Sequence, residues 1–171
     1  MLAITRESVP DDALLRTFRG GAHPERWGRY ADCFAVCVDR NVTLAQFVFA
    51  FYTSPLFVIE RWLLRLLINA PSNRDDARAI ADGTSDEFAA WYVGQRTATQ
   101  LLMCDRYERT RSWFRVEPES GGGTRLQFGS AVAARRGERG HVPRRAGAFN
   151  LLLAFHVAYS RALLRAAKAN L

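Results

Sequence analysis

Apolar residues recur at strand spacing over residues 30–38, at helical spacing from about 44 to 82, again at strand spacing from 88 to about 134, and at helical spacing to the end. The stretch YADCFAVCV predicts a first strand over Tyr30–Val38. Thr43 with Gln46 three residues later predicts a capping box for the helix LAQFVFAFY. Ser54 and Pro55 then supply an N-cap and a first-position proline for a second helix that ends before Pro71. Asn73 and Gly83 bracket a third helix, RDDARAIAD. Ahead of all these, residues 11–19 predict a short helix, and Gly20, Gly21, Pro24 and Gly28 predict a loop.

Four strands are predicted in the later β-rich stretch, over 87–93, 97–104, 110–117 and 124–134, the last two joined through Pro118 and Gly121 to Gly123. In the third, Arg111, Trp113 and Arg115 share one face, and Ser112, Phe114 and Val116 the other. In the fourth, Arg125 and Gln127 oppose Leu126, Phe128 and Val132. One wet face and one dry face predict an antiparallel sheet covered on one side. The closing stretch, FNLLLAFHVAYSRALLRAAKANL, predicts a long helix in which Leu152, Phe155, Tyr159, Leu163 and Ala166 recur at helical spacing. Laid over the dry face, it gives an α+β domain. That domain has an antiparallel sheet of about five or more strands, a short helix pair after the first strand and a long C-terminal helix, with residues 1–28 as an N-terminal extension.

At 171 residues and 49% hydrophobic, the chain fits one domain that buries enough surface to need neither metal nor disulfides. Cys33, Cys37 and Cys104 are too few for a disulfide framework, and MLAITRESVPDD has neither a basic n-region nor an apolar h-region. A reduced, cytoplasmic protein is expected. On a strand, Cys33 and Cys37 would lie about 13 Å apart, too far for a disulfide or one zinc, so inert thiols are expected. Residues 41–59 run without a charge, but Thr43, Gln46, Thr53, Ser54 and Pro55 break them into two capped helices rather than a membrane span. Phe47, Phe49, Phe51, Phe57 and Trp62 exceed what one small core readily absorbs, which keeps peripheral membrane contact and a homodimer open.

This order of elements resembles the helix-grip fold of the START and Bet v 1-like superfamily. FYTSPLFVIERWLLRLL resembles the Phe-x-Thr-Ser-Pro helix segment of a bacterial branch of that superfamily, and RTRSWFRVEP…GGTRLQFGSAV with FHVAYSRALL is similar to its later strands and terminal helix. The resemblance implies a cavity between sheet and terminal helix that holds an apolar or amphipathic small molecule. Ser112, Phe114, Leu126, Phe128, Ser130, His156 and Tyr159 are the residues expected to line it. It also implies an alternative, a cyclase-like or dehydrase-like enzyme in the same cavity, with no catalytic residue fixed.

His156 is the histidine in the most strongly patterned element. It would orient a carbonyl or act as a general acid or base if it faced the cavity with Tyr159 and a hydroxyl such as Ser112 or Ser130. No carboxylate lies at a spacing that would orient its imidazole, which favours a hydrogen-bonded core histidine or one at the helix edge. His23 and His141 are too scattered to make a zinc site with it. No dinucleotide, phosphate-loop, nucleophile-elbow or metalloprotease motif occurs, so no cofactor is expected. Gly129, in FGS, is expected inside a strand to allow close packing or a bulge. The net charge is +7, and 23 of the 24 cations are arginine. Ten arginines against five acids fall in residues 105–145, including the arginine-rich segment 135–145. Arg111, Arg115 and Arg125, interleaved with Trp113, therefore make a third possibility: an anion-binding face for acidic protein, lipid head groups or nucleic acid. A solvated sheet face is the plainer reading, and no specific nucleic-acid motif accompanies the charge.

Overall fold

A computed structural model describes residues 3–17, 30–68, 71–107, 110–132 and 146–171. The loop at 20–28, His23, His141 and segment 135–145 lie outside the described residues. The elements run β1 (Thr5–Glu7), α1 (Leu14–Thr17), β2 (Tyr30–Val38), α2 (Leu44–Tyr52), α3 (Pro55–Ile68), α4 (Arg74–Asp82), β3 (Glu87–Phe88), β4 (Trp91–Arg96), β5 (Gln100–Asp105), β6 (Thr110–Pro118), β7 (Thr124–Val132) and α5 (Ala146–Ala169). The seven strands form one antiparallel sheet in the order β1-β2-β7-β6-β5-β4-β3. The class is α+β, as expected.

Local signals explain most element ends. Thr43 Oγ1 accepts from the Gln46 backbone N–H at 3.2 Å, and Gln46 Oε1 accepts from the Thr43 N–H at 2.9 Å, so both halves of the capping box form. Asn73 and Asp76 build the same box on α4. The first meander strand, expected over 87–93, is split in two and runs on to Arg96. Ala89, at φ 53°, breaks it into β3 and β4. β4 is then bulged between Val93 and Gln95.

The apolar face of the sheet meets α2, α4 and α5. Phe34, Val36, Leu101, Met103, Phe114, Val116, Leu126 and Phe128 form the main core with Phe47, Phe51 and Phe57 from the helix pair and Leu163, Leu164 and Ala167 from α5. The Phe51 ring sits 4.8 Å from that of Phe114 and 4.7 Å from that of Phe128. The core therefore absorbs more aromatic residues than expected. Phe47, Phe51 and Phe57 are buried and Phe49 half-buried, while Trp62, Val58 and Ile59 on α3 are exposed.

The expected wet face is a correction. Trp113 is fully buried and Arg111 is 1% exposed, because the N-terminal segment crosses this side of the sheet. Ala13 and Leu14 pack on Cys33, Leu102, Cys104 and Trp113 as a second core, so the helices are not all on one side. Gln100 ties the cover down. Its Oε1 accepts from the Trp113 indole N–H at 2.8 Å and from the Leu14 N–H at 3.0 Å. Gly129 is needed beneath it: a Cβ there would lie 2.7 Å from the Asp32 carbonyl oxygen and 3.0 Å from the Trp113 ring. The register runs through Gly129 without a shift, so the residue serves close packing and not a bulge.

Candidate functional site

Along β2, Asp32 falls on the same face as Phe34, Val36 and Val38. In the antiparallel register Asp32 lies opposite Ser130 on β7, and Ser130 lies opposite Ser112 on β6. Near one end of a largely apolar sheet face stands a row of three polar side chains, and His156 of α5 meets that row. The Ser130 backbone N–H donates to Asp32 Oδ1 at 3.0 Å, and its hydroxyl donates to the same oxygen at 2.7 Å. His156 Nε2 lies 2.7 Å from Ser130 Oγ and 3.7 Å from Asp32 Oδ2. With the hydroxyl hydrogen committed to the carboxylate, the network assigns the Nε2–H as donor to Ser130 Oγ.

Burial grades across these groups. The Asp32 carboxylate has no exposed surface, while the His156 side chain is 32% exposed. The site therefore links a carboxylate inside the protein, through one hydroxyl, to an imidazole at the surface. In this order it does not activate Ser130 as a nucleophile, because the carboxylate and not the imidazole takes the hydroxyl proton. It holds the imidazole in a fixed orientation, able to bind a polar group or to exchange a proton with one. Beside it, Phe155 is 68% exposed, and its ring stacks on that of Tyr159 at 6.0 Å and 5°.

The seven residues expected to line a cavity separate into two sets. Phe114, Leu126 and Phe128 are buried in the main core, where rings of α2 fill the middle of the sheet face. Ser112, Ser130, His156 and Tyr159 stand at or beside the polar end. Asp32 was missed, and the expectation that no carboxylate orients His156 is corrected by it. The carboxylate comes from β2, across the sheet, and not from helical spacing along α5. The available signal was a lone acid on the apolar face of an alternating strand.

On the opposite face the arginines are neutralised locally. Arg115 pairs with Asp12 at 2.7 Å and with Glu117, Arg125 pairs with Glu7 and with Glu119 at 3.5 Å, and Arg111 lies 3.8 Å from Asp105. Burial pushes the Glu7 pKa up, but the hydrogen bonds from Arg125 and Thr5 and the Arg125 charge outweigh it and hold Glu7 below the usual carboxylate range. Burial, with the negative charges of Glu7 and Asp32, pushes the Cys33 thiol up to about 12. Burial and the Glu119 carboxylate raise Cys37 as well. Such thiols are poor nucleophiles near neutrality. Among the described residues no cluster of three or more His, Cys, Asp or Glu side chains is arranged to hold a metal, and no helix is long and apolar enough to cross a membrane.

Fold and site together define an α+β domain with a carboxylate–hydroxyl–imidazole relay between its sheet and its C-terminal helix. Comparison with protein-family models, curated proteins and solved structures gives no match.

Proposed function

We propose that the protein binds a small amphipathic molecule at the polar end of the interface between the sheet and α5. His156 holds the ligand's carbonyl, hydroxyl or carboxyl group, and Phe155 and Tyr159 receive its apolar part. The carrying observation is the fully buried Asp32 carboxylate, bonded through Ser130 to a partly exposed imidazole. Burying an ionised carboxylate costs several kcal/mol, and an apolar residue at position 32 would continue the core of Phe34 and Val36 at less cost. Helix-grip architecture, with a START or Bet v 1-like relationship, agrees with the element order, the antiparallel sheet and the long final helix. Three free cysteines fit a reducing, cytoplasmic setting.

The test is native mass spectrometry of protein purified from its source, followed by organic extraction of any adduct and a binding titration with the extracted compound. A stoichiometric amphipathic adduct, bound at least tenfold more weakly by His156→Ala, is expected. No adduct, together with no thermal stabilisation by fatty acids, aromatic carboxylates or polyketide-like phenols, overturns the proposal.

A second reading is a proton-transfer enzyme of the cyclase or dehydrase kind, favoured by the same relay because it connects a carboxylate to an imidazole through a single hydroxyl. Turnover of the extracted compound that is lost in both Asp32→Asn and His156→Ala, with binding retained, would select it. The arginine face is a weaker account, since Arg111, Arg115 and Arg125 already meet carboxylates.

A further inference from the structure

A separate recess opens at the other end of β2, where the chain after Val38, the outer side of α2, α4 and residues 170–171 come together. Six residues of β2 separate it from Asp32, about 20 Å at roughly 3.3 Å per residue. The recess encloses about 300 Å³, with Val42, Phe49 and Ala50 as an apolar floor and Arg40, Asn41 and Arg78 at its edge. Val42 and Ala50 are buried, Phe49 is half-buried, and Arg40 and Arg78 are exposed.

Two features distinguish these arginines from Arg111, Arg115 and Arg125 on the sheet. The Arg78 guanidinium lies 3.6 Å from the centroid of the Phe49 ring, and Arg74, one turn earlier on α4, lies 5.1 Å from the same ring. The ring thus positions cationic groups over an apolar floor. Among the described residues no carboxylate lies within ion-pairing distance of Arg40, Arg74 or Arg78, whereas Arg115 and Arg125 each meet two. Asp75 and Asp82 also stand about one turn from Arg78 on α4 without reaching ion-pairing distance, so an anion between α4 and the end of β2 meets Arg78 on one side and Arg40 on the other.

We propose that this recess is a binding site for a small amphipathic anion, with its carboxylate or phosphate between Arg40 and Arg78 and its apolar stem on Val42 and Ala50 beside the Phe49 ring. Guanidinium groups suit both head groups, which they bind through paired hydrogen bonds. A volume at the lower end of small-molecule sites, roughly 300–1,000 Å³, suits one short stem and not a diacyl lipid. The site is independent of the His156 relay.

The test is a ¹H–¹⁵N NMR titration of the full chain with octanoate, octyl phosphate, 1-octanol and inorganic phosphate. Octanoate, octyl phosphate or both are expected to shift the amides of Val42, Phe49, Ala50 and Arg78 saturably, and the acid that binds names the head group. 1-Octanol and inorganic phosphate should bind at least tenfold more weakly. Arg40→Gln and Arg78→Gln should each weaken binding fivefold or more, and His156→Ala should leave it unchanged. Arg40→Gln decides the matter should loss of the Phe49 contact unfold the Arg78 variant. Equal binding of 1-octanol, shifts centred on α5 near His156, no saturable shift with either acid, or full affinity in Arg40→Gln overturns the proposal.

Discussion

Replacing Asp32 by alanine tests the relay most directly. The substitution removes the acceptor of two buried donors, the Ser130 N–H and hydroxyl. Hydrogen bonds to an ionised group contribute about 1.5–3 kcal/mol each. Part of that loss is offset because the alanine variant no longer carries the desolvation cost of a buried carboxylate. The net expectation is a destabilisation of about 2–4 kcal/mol, which in a domain of this size lowers Tm by roughly 5–15 °C. Asp32→Asn keeps the volume and one acceptor oxygen, so it should cost no more than about 1.5 kcal/mol. Guanidinium denaturation measures both. The imidazole nitrogens of His156 give a second readout: with the carboxylate present the Nε2–H donates to Ser130, and without it the hydroxyl is free to donate to Nε2, so alanine should move the ring proton to Nδ1. Equal losses for asparagine and alanine would show that the negative charge, which both variants remove, and not the acceptor oxygen that asparagine keeps, holds the site. An unchanged ¹⁵N spectrum of His156 in Asp32→Ala would refute the relay itself.

Three further outcomes are expected. Gln100→Leu strands the Trp113 indole N–H and the Leu14 N–H, so it should cost about 2–4 kcal/mol and shift Trp113 fluorescence to the red as the N-terminal cover loosens; native-like emission and stability would remove Gln100 as the tie. Gly123→Ala should destabilise by more than about 1 kcal/mol, since Gly123 has φ +94° and a Cβ would run into the Val38 carbonyl oxygen, whereas Gly121→Ala, with nothing within 4 Å, should be neutral in the same melt. Glu7, held below the usual carboxylate range, contributes stability that is present above the unfolded carboxylate pKa and lost as pH falls through its lower folded value. Glu7→Gln should therefore flatten the acid limb of a stability–pH curve, and an identical limb in both proteins would contradict the Arg125 pairing.

What the chain reveals of itself follows the range of the interactions. β2 and α2 coincide with their expected spans, and α4 lies between its expected caps, because alternation and the Thr43 and Asn73 boxes act within four residues of where they are written. The break at Ala89 was not legible, since alanine carries no preference for positive φ and only the surrounding packing holds it there. The alternation of Arg111, Trp113 and Arg115 was legible as a two-faced strand but not as a buried one. Whether the second face meets water depends on residues 3–17, which lie far away in sequence.

The candidate site shows the same division. His156, Ser130, Ser112 and Tyr159 could be singled out from residue type and face, and so could the acid at position 32 by its place among Phe34, Val36 and Val38. Local order determined which face of each element each of them occupies. Only the tertiary structure decided that Asp32 and Ser130 stand opposite each other, that α5 brings His156 onto that pair, and that aromatic rings of α2 occupy the middle of the sheet face. The physical reason is that strand register and helix docking are settled by burying the whole apolar surface at once, a sum over contacts between distant segments that no local pattern contains.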